Sequence, residues 1–145
     1  MFTLGILHTT IRADEKLIIS AAKERGINVE LIDVRTQIFN LKSYTSKADI
    51  YLERCISTTQ GSYAVSFLES MGKKVINSSQ IGSVCSDKFL TSLALQNAGV
   101  RTPSFALVFN AEQGLMAINE LGVFPVVIKP NVGAWGRLLA KVNDI

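Results

Sequence analysis

Long apolar runs, histidine and cysteine are what this 145-residue chain has least of. No apolar stretch approaches the ~20 residues that span a bilayer, so a membrane protein is not expected. The opening Met1-Phe2-Thr3-Leu4-Gly5-Ile6-Leu7 has no basic segment and enters a strand pattern at once, which argues against a signal peptide. The two cysteines, Cys55 and Cys85, stand far apart without Cys or His companions. They read as reduced, half-buried thiols of a cytoplasmic protein rather than as a metal site. The only histidine, His8, ends the first strand-like run and reads as a structural histidine rather than a base. No Lys/Arg run is interleaved with aromatics, so no nucleic-acid partner is expected. The net charge of +3 is mild and compatible with an acidic substrate or partner.

What is present is a core-forming composition, 48% hydrophobic. Apolar pairs four residues apart mark four helices. The first carries Leu17, Ile18, Ala21 and Ala22 behind an Asp14 cap. The second carries Tyr63, Ala64, Phe67, Leu68 and Met71 and is entered from Ser57-Thr58-Thr59. The third carries Phe89, Leu90, Leu93, Ala94 and Ala98 behind Ser86, and the fourth Leu115, Ile118 and Leu121 with Glu112 in its first turn. Each closes at a glycine, Gly26, Gly72, Gly99 or Gly122, the residue suited to a left-handed helix end. Strand-like runs cover 3–7, 29–34, 49–53, 74–76, 104–109 and 125–129. Alternation of this kind with short connections predicts α/β layers on a largely parallel sheet. The turn-forming stretch Asn77-Ser78-Ser79-Gln80-Ile81-Gly82-Ser83 suggests a division into 1–84 and 85–145.

Two nucleotide motifs are missing. His8-Thr9-Thr10-Ile11-Arg12-Ala13-Asp14 follows the first strand without Gly-x-Gly-x-x-Gly, so a dinucleotide is not expected at that turn. The loop between Gly133 and Gly136 lacks the Gly-Lys-Ser/Thr ending of a Walker A motif. It follows Val126-Val127-Ile128-Lys129-Pro130 and precedes Leu138-Leu139-Ala140-Lys141-Val142. Strand, glycine loop and return strand make a flap that can close over a polyphosphate, with Lys129 and the loop N–H groups supplying positive field. Lys129 either meets an anion there or snorkels into water. Lys88 opposes the dipole in the first turn of its helix, which an anionic ligand would explain and a solvated surface lysine would not contradict. Arg54 and Arg12 fall at the strand-end edge where open α/β sheets place ligands. Each is either a carboxylate receiver or a partner of a local acid, Glu53 or Asp14. Trp135 would cover a ligand or anchor the flap.

Together, Ser86-Asp87-Lys88, the 99–103 link, Pro125-Val126-Val127-Ile128-Lys129-Pro130 and Gly133-Ala134-Trp135-Gly136-Arg137 resemble the ATP-grasp ligases. Arg12-Ala13-Asp14-Glu15-Lys16 and Glu53-Arg54-Cys55-Ile56-Ser57 are similar to the branch that holds ribosomal-protein glutamate ligases and the α-aminoadipate–carrier-protein ligases of lysine biosynthesis. That resemblance implies a Rossmann-like pre-ATP-grasp domain over 1–84 and the first, incomplete part of an ATP-grasp domain over 85–145. It implies that Lys88, Lys129, Gly133, Ala134, Trp135, Gly136 and Arg137 bind ATP, with Mg²⁺ as the companion ion, and that Arg12 and Arg54 receive the substrate. The implied reaction joins the amino group of α-aminoadipate to the terminal glutamate of a small acidic amino-group carrier protein through an acyl phosphate. A glutamate ligase acting on another protein terminus, or a small-acid-binding module without ATP, would fit the same residues. A homo-oligomer is also expected. Gln60 departs from the family, in which a basic residue is common before the glycine of segment 56–61. The chain stops nine residues after Gly136. Adenine-binding strand, metal ligands and catalytic groups are therefore expected outside it, and 145 residues alone are expected to be inactive.

Overall fold

A computed structural model describes residues 2–133 and 136–144. They form two compact units, Met1–Ser83 and Val84–Ile145. The first contains β1 (Thr3–His8), α1 (Ala13–Glu24), β2 (Asn28–Asp33), β3 (Ile50–Glu53), α2 (Thr58–Ser70) and β4 (Lys74–Ile76). Its four strands are all parallel, in the order β2-β1-β3-β4. Leu4 of β1 lies between Val29 and Ile50, and Leu7 lies between Ile32 and Glu53.

The central strand β1 is buried on both faces from Gly5 to His8, and alternation decides which face each side chain serves. Leu7, Tyr51 and Ile32 meet Ala64, Val65 and Leu68 of α2, closed off by Tyr44 and Ala48 from the β2–β3 connection. Phe39 and Phe67 pack edge to face with a centroid separation of 5.3 Å and extend this cluster. Full burial of Leu68 alone contributes about 1.5–3 kcal/mol. α2 begins where Ser57 Oγ accepts from the Gln60 N–H at 3.3 Å, as its Ser-Thr-Thr entry suggests. Gly26, Gly72 and Gly99 follow their helices at φ of 67°, 73° and 72°, the expected left-handed exits.

The second unit holds α4 (Lys88–Asn97), α5 (Ala111–Leu121) and an antiparallel pair, β5 (Val126–Ile128) and β6 (Ala140–Val142). Among its described residues none is fully buried. Leu115, Met116, Val127 and Ile128 are each at least half exposed.

Four local expectations are corrected. Residues 77–86 are not a plain linker: α3 (Ser79–Ser86) runs through them, its start held by the Glu69 carboxylate, which accepts from the Ser79 N–H and hydroxyl. Serine there starts a helix rather than a loop. Residues 104–109 form no strand, because among the described residues no neighbouring strand offers a ladder; Phe105 instead packs edge to face on Phe89. The α1 cap position is Arg12 and not Asp14, which falls in the first turn. The α4 cap is Asp87 and not Ser86: its carboxylate accepts from Phe89 N at 2.8 Å and Leu90 N at 3.0 Å.

Candidate functional site

In the first unit, β1 turns through α1 to β2 on one side, while β3 lies on the other side of β1. The connections leave β1 and β3 in opposite directions, and the crevice beyond their carboxyl ends is where such sheets bind ligands. Arg12 follows β1 and Arg54 follows β3, so the crevice receives both arginines.

They meet on one acid. Glu15, fully buried, accepts from Arg12 Nη2 at 2.8 Å and Nε at 3.0 Å, and from the Arg12 backbone N–H at 2.9 Å. Arg54 reaches the same carboxylate through Nε at 2.9 Å and Nη2 at 2.8 Å. Arg54 also touches Asp14 at 3.4 Å, a contact with an exposed partner that is worth little. The Arg12 hydrogen bonds, helped by those of Arg54, hold the Glu15 carboxyl down at about 2 against the upward push of burial. The partner of Arg54 is thus mainly Glu15. The other local acid, Glu53, accepts from the Cys55 N–H at 2.6 Å and lies so close to Gly61 that a Cβ there would overlap its carboxylate.

Around this pair the edge is tied together by Thr9, whose buried hydroxyl accepts from the Ile56 N–H at 3.0 Å. Asp33, in register with His8, is gripped by Arg35 at 2.7 and 3.0 Å, which keeps its carboxyl well below the usual range. His8 is buried, and its Nδ1 has no hydrogen-bond partner among the described residues. Gln60 lines a shallow groove of about 230 Å³ with Val34, Phe39, Tyr63 and Ala64. Sequence reasoning passed over Glu15 as a site residue. Its signal was present in the acid three positions after Arg12, a spacing that brings both to one helical face.

In the second unit the start of α4 and the glycine loop come together. The Lys88 N–H donates to Asn131 O at 2.9 Å, and Asp87 bridges antiparallel to Val132. Lys88 Nζ donates to Gly133 O at 2.8 Å and sits 3.5 Å from Asn131 O. Lys129 follows β5 in an exposed position, so the flanking apolar residues do not desolvate it within this unit. Gly136 and Arg137 are exposed. Ala134 and Trp135 lie outside the described residues. A lysine held by loop carbonyls at a helix N-terminus is an arrangement into which a phosphate fits, exchanging carbonyl for anionic oxygen. Magnesium does not fit comparably: among the described residues no group of three or more His, Cys, Asp and Glu could hold a metal ion. Nor, among them, is any helix long and apolar enough to cross a membrane. Cys85 is exposed rather than half-buried, while Cys55 is half-buried as expected.

A family model for the LysX preATP-grasp domain matches residues 4–84. The chain is 33% identical over 135 residues to the glutamate–LysW ligase ArgX of Sulfurisphaera tokodaii, covering 93% of this chain and 48% of that protein. It is 29% identical over 145 residues to the α-aminoadipate–LysW ligase LysX of the same organism, covering 97% and 50%. Among solved structures, a RimK domain protein ATP-grasp from Sphaerobacter thermophilus matches with a TM-score of 0.81 at 24% identity, over 98% of this chain and 54% of that one. The last likeness concerns the fold. The chain spans about half the length of the curated relatives it matches.

Proposed function

The chain belongs to the LysX preATP-grasp domain family, and on that premise we propose that it is the N-terminal portion of an ATP-dependent carboxylate–amine ligase. In the proposed reaction a carboxylate takes the γ-phosphoryl group of ATP, giving an acyl phosphate and ADP. The amine of an acidic amino acid then attacks the acyl carbon and expels phosphate, leaving an amide. Chemistry of this kind needs positioning and charge neutralisation more than a nucleophilic side chain.

The observation that carries the reading is the attachment of Lys88 to the 131–133 loop in a chain whose first unit belongs to this family. In the proposal Lys88, Lys129 and residues 133–137 bind the ATP phosphates, and Arg12 and Arg54 receive a substrate carboxylate. The absence of any buried residue among the described residues of the second unit supports its being the first part of a larger ATP-grasp domain. Magnesium would be held by residues outside this chain. The carboxylate to be activated is that of the terminal glutamate of a small acidic carrier protein, and the mildly basic chain suits an acidic partner.

For the amine we retain α-aminoadipate, as in the relative at 29% identity. Glutamate is the second reading, favoured by the 33% identity to the glutamate–LysW ligase. Competition between the two amino acids for one carrier pool decides between them.

Nucleotide binding tests the ligase reading itself. Replacing Lys88 and Lys129 together with Ala should weaken MgATP binding by the whole protein about tenfold or more, which corresponds to ~1.4 kcal/mol or more. Unchanged binding would overturn the assignment of these lysines.

A further inference from the structure

Glu15 has no role in the reaction as described, yet it occupies the centre of the crevice edge. It is fully buried and engages the Nε and Nη2 groups of both Arg12 and Arg54. Among the described residues neither Nη1 has a hydrogen-bond partner. The arginine side chains remain 40% and 31% exposed, so those corners can be reached from solvent. A guanidinium has two donor edges that suit a carboxylate. Glu15 takes one edge of each arginine and leaves the outer corners.

Two guanidiniums converge on the one buried carboxylate, with Asp14, 71% exposed, a further contact of Arg54 at 3.4 Å and Glu53 attracting Arg12 through space. A purely structural tie between α1 and the end of β3 needs only one arginine.

We propose that Glu15 is a positioning residue that sets Arg12 and Arg54 as one two-pronged receiver for a carboxylate of a small acidic amino acid. The proposal rests on the reading of Arg12 and Arg54 as substrate residues. It adds that they act as a pair, and only while Glu15 is ionised between them. Glutamate and α-aminoadipate share the carboxylate chemistry that the pair would recognise.

The test is calorimetric titration of the whole protein, saturated with MgATP, with L-glutamate and with L-α-aminoadipate. Glu15→Gln should weaken binding of the preferred amino acid about tenfold, Glu15→Asp should recover part of the loss, and MgATP affinity should stay within about twofold. A merely structural Glu15 would lower thermal stability without this selective loss. If Glu15→Gln binds like the parent while the Arg12→Ala/Arg54→Ala pair does not, the positioning role is overturned and the substrate role of the arginines stands. If the double variant also binds like the parent, or the parent binds neither amino acid, the substrate reading fails and the proposal with it. Should Glu15→Gln not fold, the arginine side-chain resonances of the parent decide. On adding the amino acid, the Nη signals should move while the Nε–H signals, held by Glu15, should not. Equal movement of both would overturn the proposal.

Discussion

Lys88 Nζ donates to the carbonyl oxygen of Gly133 at 2.8 Å, across 45 positions of sequence. The backbone of the same lysine is tied to Asn131 at 2.9 Å, so helix start and loop are held at two points. A cation in the first turn opposes the helix dipole, and the loop carbonyls of Asn131 and Gly133 compensate it.

That tie predicts a change in loop protection. Lys88→Ala should speed amide hydrogen exchange in 131–133 about tenfold, while α5 keeps its protection. Unchanged exchange would mean that the loop is held by its backbone contacts alone.

Acid should expose the contribution of Glu15. Its carboxyl is held at about 2 in the folded state against an ordinary value of 4.5. With the folded value depressed, the stabilisation is fully present above the ordinary value and is lost as pH falls toward 2. Glu15→Gln should therefore be less stable than the parent at neutral pH, with the difference shrinking through that window. Urea unfolding across the pH range measures it, and a difference independent of pH would contradict the account.

Leu68 and Leu93 occupy comparable apolar positions on their helices, one fully buried and one 37% exposed. In this chain Leu68→Ala should cost about 2–5 kcal/mol of first-unit stability. Leu93→Ala should cost about 1 kcal/mol or less, because its site is open. Denaturant titration distinguishes them, and equal losses would mean that the second unit has a closed core.

The two thiols should differ sharply in reactivity. Burial first, then the nearby Glu53, pushes the Cys55 thiol up to about 12, whereas Cys85 is exposed. At mildly alkaline pH an alkylating reagent should modify Cys85 and leave Cys55 intact until the protein unfolds. Mass mapping of modified peptides reads this directly, and early labelling of Cys55 would contradict the burial assigned to it.

Much of the first unit was legible because its signals are local and agree with one another. Strand alternation, the Ser57 cap and the glycine exits all point to the β-α-β order that the structure has. Errors came where one residue pattern serves two structures. Ser104 to Phe109 reads as a strand-like apolar run but has no ladder among the described residues. The serines before Cys85 read as a loop and instead start α3. At the candidate site, the arginines could be placed from the strand ends that precede them. Their shared partner could not, because convergence of Arg12 and Arg54 on Glu15 depends on β3 lying beside β1, a long-range pairing that sequence periodicity does not reveal. The union of Lys88 with Gly133 is long-range in the same way.

The most direct test of the ligase reading is the mass of the carrier after incubation with the whole protein, MgATP and α-aminoadipate or glutamate. The account predicts a carrier heavier by one amino-acid residue, with one ADP released for each carrier modified. A carrier of unchanged mass with both amino acids, and no ADP above background, would contradict it.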